Sequence, residues 1–169
     1  MKYNKGFTTS ISLVVALGGF LLGFDSAVIS GAIPFMTGYF GLTELQTGWT
    51  VSSFIVGVII GNGLSGPISD HLGRKKVLIY TSVFFAVSAV TSALAQEFWF
   101  LIIARMIGGI GVGGALLIAP VYIAEISPPA IRGKMVSFNQ LNIVLGISAA
   151  YFSNYFLFRD KVGNPIYLL

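Results

Sequence analysis

The chain has 169 residues, of which 9% are charged and 55% hydrophobic, with a mean hydropathy of +0.86 and a formal net charge of +4. A soluble domain carries about 25% charged residues, so there is too little polar side chain here to coat a water-facing surface. The bases sit in short clusters between apolar runs, which argues against nucleic acid as a partner, and the absence of cysteine excludes disulfides and thiolate metal sites.

The N-terminus, Met1-Lys2-Tyr3-Asn4-Lys5 followed by an apolar run, has the look of a signal peptide. No small-x-small cleavage site closes that run, so an uncleaved first span over 7–36 is expected. It holds one carboxylate, Asp25, and is longer than a bilayer is thick. It must therefore tilt, protrude, or break near Gly31 and Pro34. A polar turn over 38–46 leads to a second span, 47–69, with Asn62 inside it. The charged loop 70–76, DHLGRKK, precedes a third span over 77–96. Glu97 marks a very short connection to a fourth span, 98–126. From Arg105 to Glu125 a straight helix rises about 30 Å, roughly the hydrocarbon thickness of a bilayer. A proline-broken basic turn, 127–134, then gives way to a fifth span over 135–158. The expectation is an all-α polytopic membrane protein embedded in a lipid bilayer.

Orientation follows from lysine and arginine in the short loops. Lys2 and Lys5 precede the first span, Arg74, Lys75 and Lys76 follow the second, and Arg132 and Lys134 follow the fourth; the first and third loops have none. The alternation puts the N-terminus and loops 70–76 and 127–134 in the cytoplasm. The tail bases Arg159 and Lys161 then fall outside against the rule, as they would if the chain continued into a sixth span.

Charges inside spans are costly and usually have a task. Entering from the cytoplasm, helix 1 carries Asp25 roughly 22–26 Å in, and helix 4, entering from outside, carries Arg105 roughly 10 Å down. Opposite charges at matched depth can pair. The aspartate can lose its charge to a proton and the arginine cannot, so such a pair can couple protonation to helix movement. A static ion pair that fixes helix packing is the alternative, and both stay open.

Gly61 to Gly66 and Gly109 to Gly114 fit G-x-G-x-x-G, but they lie inside spans and not at a strand-to-helix turn. Gly57, Gly61, Gly109, Gly111 and Gly113 are expected instead to let helix backbones approach closely. Asp70 with Arg74, and Glu125 with Arg132, repeat an acid at a span end followed by a base. Positive-inside anchoring explains the bases; an ion-pair latch between loops would also explain the acids. Asn139, Gln140 and Asn142 open span 5, and amides suit hydroxyl-rich ligands. Helix-to-helix hydrogen bonding is the alternative, favoured for Asn139 and Asn142. His71, the single histidine, sits in a loop, so neither a histidine-based metal site nor a catalytic centre is expected.

At these residues the chain resembles the sugar porter branch of the major facilitator superfamily. Gly66-Pro67-Ile68-Ser69-Asp70-His71-Leu72-Gly73-Arg74-Lys75 is similar to the superfamily's G-x-x-x-D-R-x-G-R-R signature, departing at His71. Arg105 with Gly109, Gly111 and Gly113 resembles the family's span 4. Pro120-x-Tyr122-x-x-Glu125-x-x-Pro128-x-x-x-Arg132-Gly133 resembles its more specific sugar-porter signature. Ser137-x-x-Gln140-Leu141 fits its start of span 5, and Gly23-Phe24-Asp25 with Ile29-Ser30-Gly31 its span 1.

The resemblance implies twelve helices in two six-helix halves, of which this chain would hold five, with sugar bound between the halves near the midplane. Gln140 would be a sugar-hydroxyl ligand, Asp25 the proton-binding acid and Arg105 its partner. Asp70, Arg74, Glu125 and Arg132 would form a cytoplasmic ion-pair network that stabilises the outward-facing state. No cofactor is implied. The implied function is the N-terminal part of a proton-coupled monosaccharide transporter in the plasma (bacterial inner) membrane. Its partners would be a monosaccharide, a proton and a missing C-terminal half. Alternating access needs two bodies, so the 169 residues alone are not expected to transport. A facilitative sugar or polyol carrier, and a membrane sensor or assembly subunit of the same fold without flux, are the rival readings.

Overall fold

A computed structural model describes residues 5–162, with side chains from 18 to 156. The described residues form five helices and no strand: α1 Lys5–Phe40, α2 Glu44–Leu72, α3 Arg74–Ala93, α4 Phe98–Ile126 and α5 Arg132–Val162. Each carries a stretch long and apolar enough to cross a bilayer. With so little charge in between, the protein is a multi-pass membrane protein.

Helix boundaries follow local chemistry as well as hydropathy. α2 begins at Glu44, inside the expected polar turn, because Thr43 and Gln46 make a capping box. The Thr43 amide donates to Gln46 Oε1 at 2.9 Å and the Gln46 amide to Thr43 Oγ1 at 3.3 Å, satisfying two of the helix's orphan donors. α1 runs unbroken through Pro34, so the expected break near Gly31 and Pro34 does not occur. Of the expected loop 70–76, only Gly73 lies outside a helix. Its φ of +86° ends α2 and starts α3 within one residue, a backbone conformation that an L side chain would strain.

The chain divides into two compact units, α1 as far as Pro34 with α5 from Ser137 onward, and the stretch Phe35–Val136. In the second unit α4 lies between α2 and α3, and its buried residues include Arg105, Gly108, Gly109, Gly111, Gly113 and Gly114. The buried stripe of α2 is Thr50, Ser53, Phe54, Gly57, Gly61, Ser65 and Ser69. Large apolar residues such as Ile55, Ile59, Leu64, Val83 and Phe84 point outward. This inverts the soluble pattern because lipid leaves no hydrophobic drive between helices, so small residues gain by close packing. Gly57 and Gly109 face each other across α2 and α4; a Cβ on Gly57 would meet the Met106 carbonyl oxygen, and one on Gly109 the Phe54 carbonyl oxygen. Towards α3, Ser88 Oγ donates to the Ala104 carbonyl at 2.7 Å.

In the first unit α1 and α5 pack just as closely. A Cβ on Gly23 would meet the Ile143 carbonyl oxygen, and one on Gly146 that of Phe20. Asn154 Nδ2 reaches across from α5 to the Val28 carbonyl at 3.5 Å.

Candidate functional site

Two polar centres lie at opposite ends of the α2–α4 unit. Arg105 and Thr50, one from the second turn of each helix, meet near the starts of α4 and α2, whereas Arg74 and Glu125 meet near the ends. α2 and α4 therefore run in the same direction.

The corner at the ends of α2 and α4 is organised by Arg74. Its Nη1 donates to Asp70 Oδ1 and to Ser69 Oγ, both at 2.6 Å, and its Nε to Glu125 Oε1 at 3.2 Å. One guanidinium thus ties the last turns of α2 and α4 to the first turn of α3. The fork of donors on arginine allows this; a lysine point charge would not span the three acceptors in the same way. A cation here also complements the negative C-terminal ends of α2 and α4. Ser69 is buried, and its hydroxyl donates a hydrogen bond to the Gly66 carbonyl at 2.9 Å. Arg132, at the start of α5, is exposed, and among the described residues no ion pair joins it to Asp70 or Glu125. The structure brings three of the four expected network residues together and leaves the fourth apart. Ser127 caps α4 beside this corner, with its hydroxyl buried and unpartnered.

At the other end Arg105 is only 9% exposed. Its Nε donates to the Thr50 carbonyl at 3.1 Å, and its guanidinium carbon lies 5.0 Å from the centroid of the Phe54 ring. Asp25 is half-buried on α1, in the other unit.

On α5 the three amides separate. Asn139 is buried, with Oδ1 unpartnered against Gly19 of α1. Asn142 Nδ2 bonds within its own helix to the Phe138 carbonyl at 2.9 Å, which differs from the expected helix-to-helix bond. Gln140 is exposed on α5. The interhelical amide is instead Asn154, which its position late in the span did not single out. Gly111 abuts the Thr81 carbonyl of α3, and Gly113 the Val58 carbonyl of α2.

The second unit holds a buried cation, Arg105, and the ion-paired corner at Arg74; the first unit holds an acid within a span, Asp25, and an exposed amide, Gln140. The family model described as "Sugar (and other) transporter" matches residues 11–166. The chain is similar to the arabinose-proton symporter of Bacillus subtilis, 47% identical over 153 residues, which cover 90% of this chain and 33% of the relative. It is 40% identical to the D-xylose-proton symporter of Escherichia coli, the match covering 94% of this chain and 38% of the relative. It is also similar to a solved structure of the proton:xylose symporter XylE bound to 6-bromo-6-deoxy-D-glucose, with a TM-score of 0.84 and 40% identity, covering 93% of this chain and 38% of that one. The chain thus spans 33% to 38% of the length of these relatives.

Proposed function

Because the chain belongs to the sugar transporter family of the major facilitator superfamily, we propose that it forms the N-terminal part of a proton-coupled monosaccharide carrier working by alternating access. The observation that carries this reading is its 40–47% identity, over at least nine-tenths of its length, to proteins named as sugar-proton symporters. The five membrane-length helices agree with a carrier.

Asp25 takes the proton, and Arg105 is the fixed cation against which its charge is read. Protonation removes the negative charge while the guanidinium stays positive, so the electrostatic balance between helices changes with each proton bound. Gln140 offers one donor pair and one acceptor to sugar hydroxyls, and its exposure on α5 leaves it available to a ligand. Asp70, Arg74 and Glu125 act as a latch on the cytoplasmic face, with Arg132 a further base there. The N-terminus lies in the cytoplasm, and the membrane is the bacterial inner membrane. The remaining helices of the carrier supply the opposing face of the sugar site.

The test is a chimera in which residues 11–166 replace the matching segment of the B. subtilis arabinose-proton symporter. Reconstituted in liposomes, it should accumulate a monosaccharide when an inward proton gradient is imposed, and lose that accumulation with a protonophore. Sugar entry that is indifferent to the gradient would reassign the chain to facilitated diffusion. A well-folded chimera with no sugar flux would support the sensor or assembly reading.

A further inference from the structure

The Arg105 guanidinium has a seat inside its own unit made by groups that do not titrate. The Thr50 carbonyl accepts from its Nε at 3.1 Å and the Phe54 ring lies 5.0 Å away. Both residues are buried, Thr50 at 1% exposure and Phe54 at 9%. The Thr50 hydroxyl is engaged elsewhere, donating to the Gln46 carbonyl at 3.0 Å, while Ser53 Oγ adds a second donor to the Thr50 carbonyl at 3.2 Å. The Phe54 ring is itself fixed against α4, where a Cβ on Gly108 would lie 3.9 Å from its edge. These contacts of the seat come from α2 and α4.

We propose that the Phe54 ring and the Thr50 carbonyl are positioning groups that hold Arg105 charged and buried while the proton-binding acid is neutral, and so set the pH at which proton and sugar movement are coupled. The inference rests on the coupling role proposed above for Arg105. Arginine cannot shed its proton to relieve burial, and a buried cation without compensation is strongly unfavourable. Each time the acid takes a proton it ceases to offer a negative charge. A ring quadrupole and a carbonyl dipole offer their negative ends at every pH. The side chains that α2 and α3 present at this level, Thr50, Ser53, Phe54 and Ser88, carry no titratable group. The acids of the unit nearest in the chain, Glu44 and Glu97, are exposed at the starts of α2 and α4, and Asp25 on α1 is the acid invoked.

The sign follows. A good seat lessens the dependence of Arg105 on a carboxylate, which raises the pH at which the acid takes up its proton. Weakening the seat makes the carboxylate form more favourable and moves that pH down.

The experiment replaces Phe54 in the arabinose-symporter chimera with Tyr, Leu or pentafluorophenylalanine. The last keeps the ring's outline but reverses the charge on its face. The pH of half-maximal sugar uptake should fall by roughly 0.5 to 1.5 units in the Leu and pentafluoro variants. Phe54→Tyr, which keeps an electron-rich ring, should restore the original profile. A pentafluoro variant with the native profile would overturn the proposal. So would a Leu variant that merely lowers the amount of folded carrier. An unsubstituted chimera whose sugar uptake ignores the proton gradient would sink the coupling role itself, and this inference with it; a proton-driven chimera unmoved by changes at Phe54 would sink only the inference.

Discussion

Arg74, in the first turn of α3, donates through Nε to Glu125 Oε1 in the last turn of α4 at 3.2 Å. The same guanidinium holds Asp70 in the last turn of α2 at 2.6 Å, so one side chain fastens three helix ends. The Glu125 side chain is 49% exposed, against 27% for Arg74. An ion pair so open to solvent contributes little to folding. In the proposed carrier its role would be to break and re-form.

Glu125→Gln should therefore leave the thermal midpoint of the 169-residue chain in nanodiscs almost unchanged. If the corner is the proposed latch, the same substitution in the chimera should slow sugar uptake. A large drop in the thermal midpoint would show that the corner is a folding element, contrary to this account.

Gly73 has the opposite profile. Its φ of +86° is required for the one-residue corner, and a side chain there meets no neighbour within 4 Å. The cost of Gly73→Ala is thus conformational, about 1–3 kcal/mol. Thermal unfolding of the chain in nanodiscs should register it, and an unaltered midpoint would mean that the corner relaxes without strain.

Gly57 and Gly109 fail for a different reason, because a Cβ on either would run into the backbone of the other helix. Gly57→Ala and Gly109→Ala should each destabilise the chain by about 1–3 kcal/mol, the range of overpacked interfaces. Since both relieve into the same gap, the double variant should lose less than the sum. Strict additivity, measured by the same unfolding assay, would argue that the two sites do not share one interface.

Gln140 is exposed and should tolerate truncation. Gln140→Ala in the chimera should leave expression intact and weaken sugar binding roughly 3- to 10-fold, the worth of about one hydrogen bond. Unchanged affinity would remove its role as a ligand.

Much of the fold was legible from the chain because charge and hydropathy vary together. The fourth helix is bounded at Phe98 and Ile126, as the apolar run between Glu97 and Ser127 indicates. The first was harder to bound, since Pro34 signals a break on average but α1 continues through it. Hydropathy also missed the start of α2, which the Thr43–Gln46 capping box moves ahead of the apolar run. In the candidate site, Asp70, Arg74 and Glu125 were readable as charges at span ends. Ser69, Thr50 and Phe54 were not. A hydroxyl, a backbone carbonyl and an aromatic ring are common in any span; the one-residue corner at Gly73 makes Ser69 a partner of Arg74, and the packing of α2 on α4 makes Thr50 and Phe54 partners of Arg105. The same holds for Asn154, whose bond to Val28 depends on how closely the glycines of α1 let α5 approach.

The most direct measurement replaces Asp25 with Asn in the chimera and records sugar-induced alkalinisation outside the liposomes alongside sugar binding. The account predicts that Asp25→Asn abolishes the proton signal while the sugar still binds with nearly native affinity. Undiminished uphill sugar accumulation by that variant would contradict it.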